Sequence, residues 1–288
     1  MIKFNEIKLD FDTRRKLQSK FPPEYWECEM TDFDSAFLCG ILRKFKPKKI
    51  LEVGIAGGGT TAIILQTLKD IGQKYIMHSI DISTRYHLNP EKETGFAFKY
   101  AKENNIIRGG VGNHYLHLGT VLPKVIEEIG GDIDFVILDT AHVVPGEILD
   151  FITVLPYLKK DAVVVLHDIM ENQRIYSQET QHATVALFSS VVADKFFNFN
   201  TMFVDFMHNY PNIGAFQINS DTMKNIENVF LTLVLRWQYS LPGDQLFAYY
   251  NIFQKHYSKE LCLLFEQALK MNYLNLKIDG EIQNYKNK

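Results

Sequence analysis

The sequence predicts an α/β protein: a doubly wound, mostly parallel sheet with an antiparallel C-terminal strand, followed by a helical C-terminal extension. Three observations predict it. Short β-rich runs alternate with longer amphipathic ones from Lys49 onward. Those short runs are almost continuously apolar, as strands covered on both faces require. A glycine-rich turn joins the first of them to the first amphipathic segment.

The 288 residues can hold one large domain with an appendage. We divide them into a helical lead-in (1–46), the α/β domain (47–220) and the helical extension (221–288). In the lead-in, Pro22-Pro23 breaks the chain and Thr31 to Phe45 then reads as a helix. Thr31 or Asp32 serves as its N-cap, Phe37, Leu38, Ile41, Leu42 and Phe45 form its apolar stripe, and Pro47 follows its end. Strands are expected at Lys49 to Val53, Tyr75 to Ile80, Tyr115 to Leu118, Phe135 to Leu138 and Ala162 to Leu166. Helical spacing marks Thr60 to Ile71, Glu91 to Asn104, Val121 to Ile129 and Glu147 to Leu158. Beyond His182 come a helix (Ala183 to Lys195) and two strands (Met202 to Met207, Gly214 to Ile218) that read as a closing antiparallel pair. From Asp221 on, Met223 to Gln238, Asp244 to His256 and Lys259 to Asn272 read as helices.

Composition excludes several classes. Apolar residues are 46 % and charged residues 23 %, ordinary for a globular chain, although Phe (21) and Tyr (14) are plentiful. A net charge of −3 leaves no basic field for nucleic acid or anionic lipid. Cys28, Cys39 and Cys262 have no metal spacing and leave an odd thiol, which suits a reducing compartment. The first twelve residues carry no signal-peptide pattern, and no apolar stretch approaches a membrane span, so a cytoplasmic location is expected.

Ile50 to Thr61 is the most informative segment. A buried strand carries Glu52 near its end, turns through Gly54, Ala56, Gly57, Gly58 and Gly59, and enters a helix at Thr60 or Thr61. Small residues let the backbone approach a ligand, and the helix N-terminus offers free N–H groups. Packing alone is the bland reading of such a turn. The segment lacks the Gly-Lys-Ser/Thr of a phosphate loop, and Glu52 would repel a pyrophosphate but suit a cationic ligand. Asp81 closes the next strand, where a carboxylate can accept ribose hydroxyls. A helix N-cap is its alternative role.

A second constellation lies downstream. Asp139 and His142 follow the strand Phe135 to Leu138, and His167 and Asp168 end the strand Ala162 to Leu166. Ligands of open parallel sheets sit outside the carboxyl ends of the strands, so these four groups should share the crevice of the glycine turn. They suit either a hard divalent cation or a general base beside a substrate hydroxyl.

With these segments the sequence resembles the class I S-adenosylmethionine-dependent methyltransferases over about Lys49 to Ile218, most strongly at Ile50 to Asp81 and Asp134 to Asp168. The resemblance implies a Rossmann-like, seven-stranded sheet and S-adenosylmethionine as cofactor. Gly54 to Gly59 would pass under its methionine part, Glu52 would hold the turn or the amino group, Asp81 would take the ribose, and Gly119 and Thr120 would lie on the adenine side. The stretch Asp139-Thr140-Ala141-His142 is similar to the Asp-Gly-x-His of the small-molecule O-methyltransferases related to macrolide, cephalosporin-pathway and catechol enzymes, with Thr140 in place of Gly. Several of those enzymes bind a divalent cation such as Mg²⁺, which places Asp139 and Asp168 as metal ligands here. Ile169 stands where that branch has a further Asp or Asn, and Glu171 or Asn172 are the substitutes in reach.

The expected reaction is methyl transfer to a hydroxyl of a small molecule or sugar. His142 is the first choice of proton acceptor, His167 the second, and Asp139 and Asp168 orient the base or bind the metal. The polar stretch Glu171 to His182 is the expected acceptor-recognition segment. Trp237, Tyr239, Phe247, Tyr249 and Tyr250 are read as helix packing ahead of stacking on a sugar, and the C-terminal helices offer a surface for a homo-oligomer. The competing classes are a NAD- or nucleotide-sugar-binding oxidoreductase, disfavoured by the lack of Gly-x-Gly-x-x-Gly spacing, and a non-catalytic scaffold.

Overall fold

The computed structural model describes residues 4–107, 112–170, 183–198 and 212–286, the side chains of the last helix only to residue 277. Ten strands are found among them: β1 (Phe4–Asn5), β2 (Lys49–Val53), β3 (Tyr75–Asp81), β4 (Arg85–Tyr86), β5 (Asn89–Glu93), β6 (Gly112–Leu118), β7 (Ile133–Leu138), β8 (Leu158–His167), β9 (Asp194–Phe196) and β10 (Ile213–Gln217). The helices are α1 (Asp12–Gln18), α2 (Asp32–Phe45), α3 (Gly59–Asp70), α4 (Phe96–Glu103), α5 (Leu122–Ile129), α6 (Gly146–Val154), α7 (Ala183–Ser190), α8 (Ser220–Lys224), α9 (Glu227–Thr232), α10 (Gly243–His256) and α11 (Lys259–Lys286).

Eight strands form one sheet in the order β1-β9-β10-β8-β7-β2-β3-β6. Strands β2, β3, β6, β7 and β8 run parallel, and β10 is antiparallel to both neighbours, as expected. The sheet has one strand more than the seven predicted. Two of its strands were not expected, β9 and the edge strand β1 that pairs with it in parallel, so the lead-in is not wholly helical. Among helices, α2 starts where predicted because Thr31 and Asp34 close a capping box.

Three expected helices differ. Glu91 to Glu93 belongs to the β4–β5 hairpin, and the helix starts only after Gly95 (φ +75°). Thr94 holds this hairpin shut by donating to the Ser83 carbonyl, and the Gly95 N–H docks on the Ala56 carbonyl at 2.9 Å. Ala183 to Lys195 splits into α7 and β9, because Lys195 is taken up in a ladder opposite Phe216. Met223 to Gln238 breaks into short helices, α9 beginning at Glu227. The predicted strand Met202 to Met207 lies outside the described residues.

Both sheet faces are covered. On one, Val136, Val164 and Leu166 pack with Ile148, Ile152, Phe230, Trp237, Phe253 and Phe265, so the C-terminal extension is continuous with the core. On the other, Ile50, Met77 and Val165 pack against Leu38, Ile41, Ile64 and Leu68 of α2 and α3. Phe247, Met271, Tyr273 and Leu274 remain exposed on the terminal helices where self-association was expected. Among the described residues no helix is long and apolar enough to cross a membrane.

Candidate active site

The glycine turn is shaped by what presses on it. Gly54 has φ +94°, and a Cβ there would sit 1.8 Å from the Asp139 carbonyl oxygen. At Gly59 a Cβ would sit 2.0 Å from the carbonyl of Glu27, in the lead-in segment laid across the turn. A side chain at either place collides with backbone. Helix α3 follows from Gly58 with no side chain capping its first turn, so its leading N–H groups are available to an anionic group.

Two carboxylates behind the turn have different tasks. Glu52 is fully buried, accepts hydrogen bonds from Thr61 (2.8 Å) and Ser79 (2.6 Å), and is not on the cavity wall. It ties β2 to β3 and α3. Of the two roles expected for Glu52, the geometry matches holding the turn and gives it no access to a ligand amino group. Burial outweighs its two hydroxyl partners and raises its pKa to about 8. Asp81 accepts the N–H groups of Ile55 (2.9 Å), Ala56 (3.1 Å) and Ser83 (2.8 Å) and faces the cavity. Ala56 itself has φ +48°.

A cavity of about 660 Å³ runs along the carboxyl ends of the strands. Gly54, Ala56, Gly57, Gly58, Gly59, Thr60, Asp81 and Thr120 line one end, and Asp139, His142 and Asp168 the middle. Gly119 makes the turn before Thr120 (φ +71°) without lining the cavity.

The parallel register of β7 and β8 pairs Leu138 with Leu166, so Asp139 and His167 emerge at the same level. His167 is buried, with Nδ1 3.1 Å from Asp139 Oδ1 and Nε2 3.5 Å from Asp34 Oδ2. His142 Nε2 lies 2.9 Å from Asp168 Oδ2 and 3.8 Å from Asp139 Oδ1. Its Nδ1 is 3.3 Å from Glu147 Oε1, an oxygen that also accepts the N–H groups of Thr140 (3.0 Å) and His142 (2.8 Å). Thr140 adds its hydroxyl to Glu147 at 3.0 Å, an anchor that glycine at that position could not supply. Asn212 at the entry of β10 donates its side-chain amide to Asp168.

Both imidazoles are held as cations. Burial opposes the charge of His142, but Asp168 and Glu147 outweigh it and raise its pKa to about 11. For His167 burial is likewise overcome by Asp139 and Asp168, and its pKa lies well above the ordinary value. Burial is overcome on Asp168 by the two histidines, which hold its carboxyl far below the usual range. A neutral His142, as a base near pH 7 requires, would need a metal ion beside Asp139 and Asp168 to offset the carboxylates that favour its protonated form.

The residues fit such an ion. Ligand atoms of Asp139, His142 and Asp168 lie within 4.8 Å of one another, two hard oxygens and a nitrogen. The third candidate ligand is His142, and Ile169, where a further acid or amide was expected, is buried. Glu171, Asn172 and the stretch to His182 lie outside the described residues.

Several cavity residues carried no signal in the sequence. Glu27 and Glu29 come from the lead-in, Arg85 and His87 from the unexpected hairpin, and Asp150 from α6. Of the aromatic tail, Trp237 is packed in the core as expected, whereas Tyr239 and Tyr249 reach the cavity. Glu147, five residues after His142 and in the first turn of α6, had no helical spacing to that histidine that could have marked it.

A family described as a methyltransferase domain matches residues 51–169. No curated protein matches the chain in sequence. Among solved structures, the chain is similar to an O-methyltransferase from Bacillus cereus in complex with S-adenosylhomocysteine (13 % identity, 73 % of this chain and 91 % of that one, TM-score 0.47). It is also similar to the O-methyltransferase TomG of tomaymycin synthesis from Streptomyces achromogenes, in complex with S-adenosylmethionine (16 % identity, 74 % and 92 %, TM-score 0.46). Likenesses this distant carry no argument about activity. The matched span does: it runs from β2 through the glycine turn and Asp139 to Ile169, and so holds both halves of the cavity described above. Over residues 51–169, which carry the glycine turn, Asp81 and Asp139 to Asp168, the chain is thus similar to a methyltransferase domain.

Proposed function

We propose that the protein is an S-adenosylmethionine-dependent O-methyltransferase acting on a hydroxyl of a small molecule. One observation carries the reading: a single cavity joins the glycine turn and Asp81 to the Asp139–His142–Asp168 trio, so a bound sulfonium methyl and an acceptor oxygen can meet in it. Methyl transfer is an in-line displacement, and the protein contributes mostly position and removal of one proton.

The uncapped N-terminus of α3 suits the methionine carboxylate, and Asp81 suits the ribose hydroxyls through lone pairs left beside its three backbone donors. Asp139, His142 and Asp168 would hold a divalent cation. When bound, such an ion lowers the pKa of a hydroxyl placed against it and offsets the carboxylates. Glu147 keeps the His142 ring turned toward Asp168, and Asp34 and Asn212 brace the far side. The acceptor proton would leave to Asp139, whose carboxylate faces both imidazoles, or to His142 where a cation offsets Asp168 and displaces the proton that His142 itself carries.

The test is release of S-adenosylhomocysteine from S-adenosylmethionine over a panel of polyols, sugars and phenols, with added Mg²⁺ or Mn²⁺. Calorimetry with S-adenosylhomocysteine reads cofactor binding separately. Failure of that ligand to bind would remove the reading.

A further inference from the structure

The end of the cavity away from the glycine turn is built by residues that cofactor binding does not use. Asp150 projects from α6 one helical turn beyond Glu147, and only 5 % of it is exposed. Tyr249 of α10, also 5 % exposed, donates its hydroxyl to Asp150 Oδ1 at 2.7 Å. Both line the cavity, together with Tyr239 and Gln245. The Tyr239 hydroxyl lies 3.7 Å from the place a Cβ would take on Gly146, and Thr140 Oγ1 lies 3.8 Å from the same point. This wall is therefore contiguous with the Asp139–His142–Asp168 trio.

Charge distinguishes this end. The His142 and His167 cations are answered by Asp139, Asp168, Glu147 and Asp34. Asp150 has no such partner: Arg85 is the one Lys or Arg among the described lining residues, and it stands on the hairpin beside Asp81. A carboxylate so placed costs free energy until a donor or a cation meets it. Burial, with Glu147 adding to it and Tyr249 opposing, raises the Asp150 pKa to about 7. A tyrosine hydroxyl fixed on one oxygen leaves the carboxylate oriented, and no described cation competes for it.

We infer that Asp150, oriented by Tyr249, is an ammonium-binding subsite, and that the methyl acceptor is an amine-bearing hydroxylated molecule. Its hydroxyl lies at the Asp139–His142–Asp168 trio, and its amine lies at Asp150 along the wall of the same cavity. Anionic acceptors are disfavoured, because the same wall presents carboxylates and phenols. The inference rests on the methyltransferase reading for the place of the hydroxyl, but the subsite itself is tested by binding alone.

Two matched pairs of probes serve: glucamine against sorbitol, and tyramine against para-ethylphenol. Dissociation constants are measured by ligand-observed NMR on the full chain, with and without saturating S-adenosylhomocysteine. At least one amine should bind about tenfold or more tighter than its neutral counterpart, the scale of a hydrogen bond between charged groups. Asp150→Asn should reduce that preference to near unity with S-adenosylhomocysteine affinity unchanged. Tyr249→Phe, which keeps the carboxylate and releases it, should reduce the preference in the same direction and stands in should Asp150→Asn not fold. Equal binding of both members of both pairs, or a preference that survives both substitutions, overturns the subsite. Absent S-adenosylhomocysteine binding with an intact amine preference would instead count against the methyltransferase reading.

Discussion

His142 Nε2 lies 2.9 Å from Asp168 Oδ2, across the gap between the loops that leave β7 and β8, and both residues hold left-handed backbone (φ +58° and +57°). Left-handed conformation is costly for residues other than glycine and persists where surrounding contacts impose it. Here Glu147 holds the backbone N–H of His142, and the carbonyl of Asp168 accepts the Thr184 hydroxyl at 2.7 Å. Two strand ends are thereby bent toward one point.

Replacing His142 with Ala should lower turnover by ~10²–10⁴ while S-adenosylhomocysteine affinity stays within about twofold. Steady-state kinetics and calorimetry check the two halves. Wild-type turnover in the variant would exclude His142 from the chemistry. A fall of that size in His167→Ala alone would move the role to His167.

Asp81→Ala should weaken S-adenosylhomocysteine binding by at least ~1 kcal/mol. The loss has two sources, the ribose bonds and the support given to Ile55 and Ala56. Asp81→Asn, which keeps the shape and one acceptor oxygen, should fall between wild type and Ala. Unchanged affinity in Asp81→Ala would refute the ribose assignment.

Removing divalent ions should suppress activity, and Mg²⁺ or Mn²⁺ should restore it. Asp139→Asn and Asp168→Asn should abolish the restoration. Activity indifferent to chelator would leave His142 and Asp139 as a metal-free acid–base pair.

Stability should fall with rising pH through the titration of Glu52. Its folded pKa is raised, from the ordinary 4.5 to about 8, so the folded state binds the proton more tightly than the unfolded chain does. The contribution is fully present below about 4.5 and is lost as pH rises through about 8, a change on the order of several kcal/mol. Denaturant titration at a series of pH values should show the fall in wild type and a flatter profile in Glu52→Gln. Parallel profiles would show that Glu52 is not protonated in the folded state.

Gly54→Ala should destabilise the protein by ~1–3 kcal/mol or more, since its Cβ would overlap the Asp139 carbonyl and its φ is +94°. Gly72→Ala, also at positive φ (+64°) but with nothing within 4 Å, separates backbone strain from collision. Equal melting temperatures for the two variants would show that the collision is relieved.

The alternation of the central strands and helices and the strand ends of the site were legible in the sequence. Short continuous apolar runs such as Phe135 to Leu138, bounded by turn signals, read as buried strands, and the parallel sheet then brings Gly54, Asp81, Asp139 and Asp168 to one rim. Those facts are local or follow from one rule of topology. The rest depends on tertiary packing, because most of the remaining relations join residues far apart in the chain. The short Arg85–Glu93 hairpin hides in a polar stretch with helical spacing, and β1 finds its partner 190 residues away at its Asn5–Lys195 contact. Glu52 was visible as an acid beside a glycine turn, yet its burial depends on Ser79 of the next strand. The candidate third ligand is the residue three positions after Asp139 rather than one after Asp168, since left-handed backbone turns His142 back over the strand end. Asp150 looked like a helix residue among others. It becomes a candidate binding group only because α10 returns across the chain to place Tyr249 against it, 99 residues later.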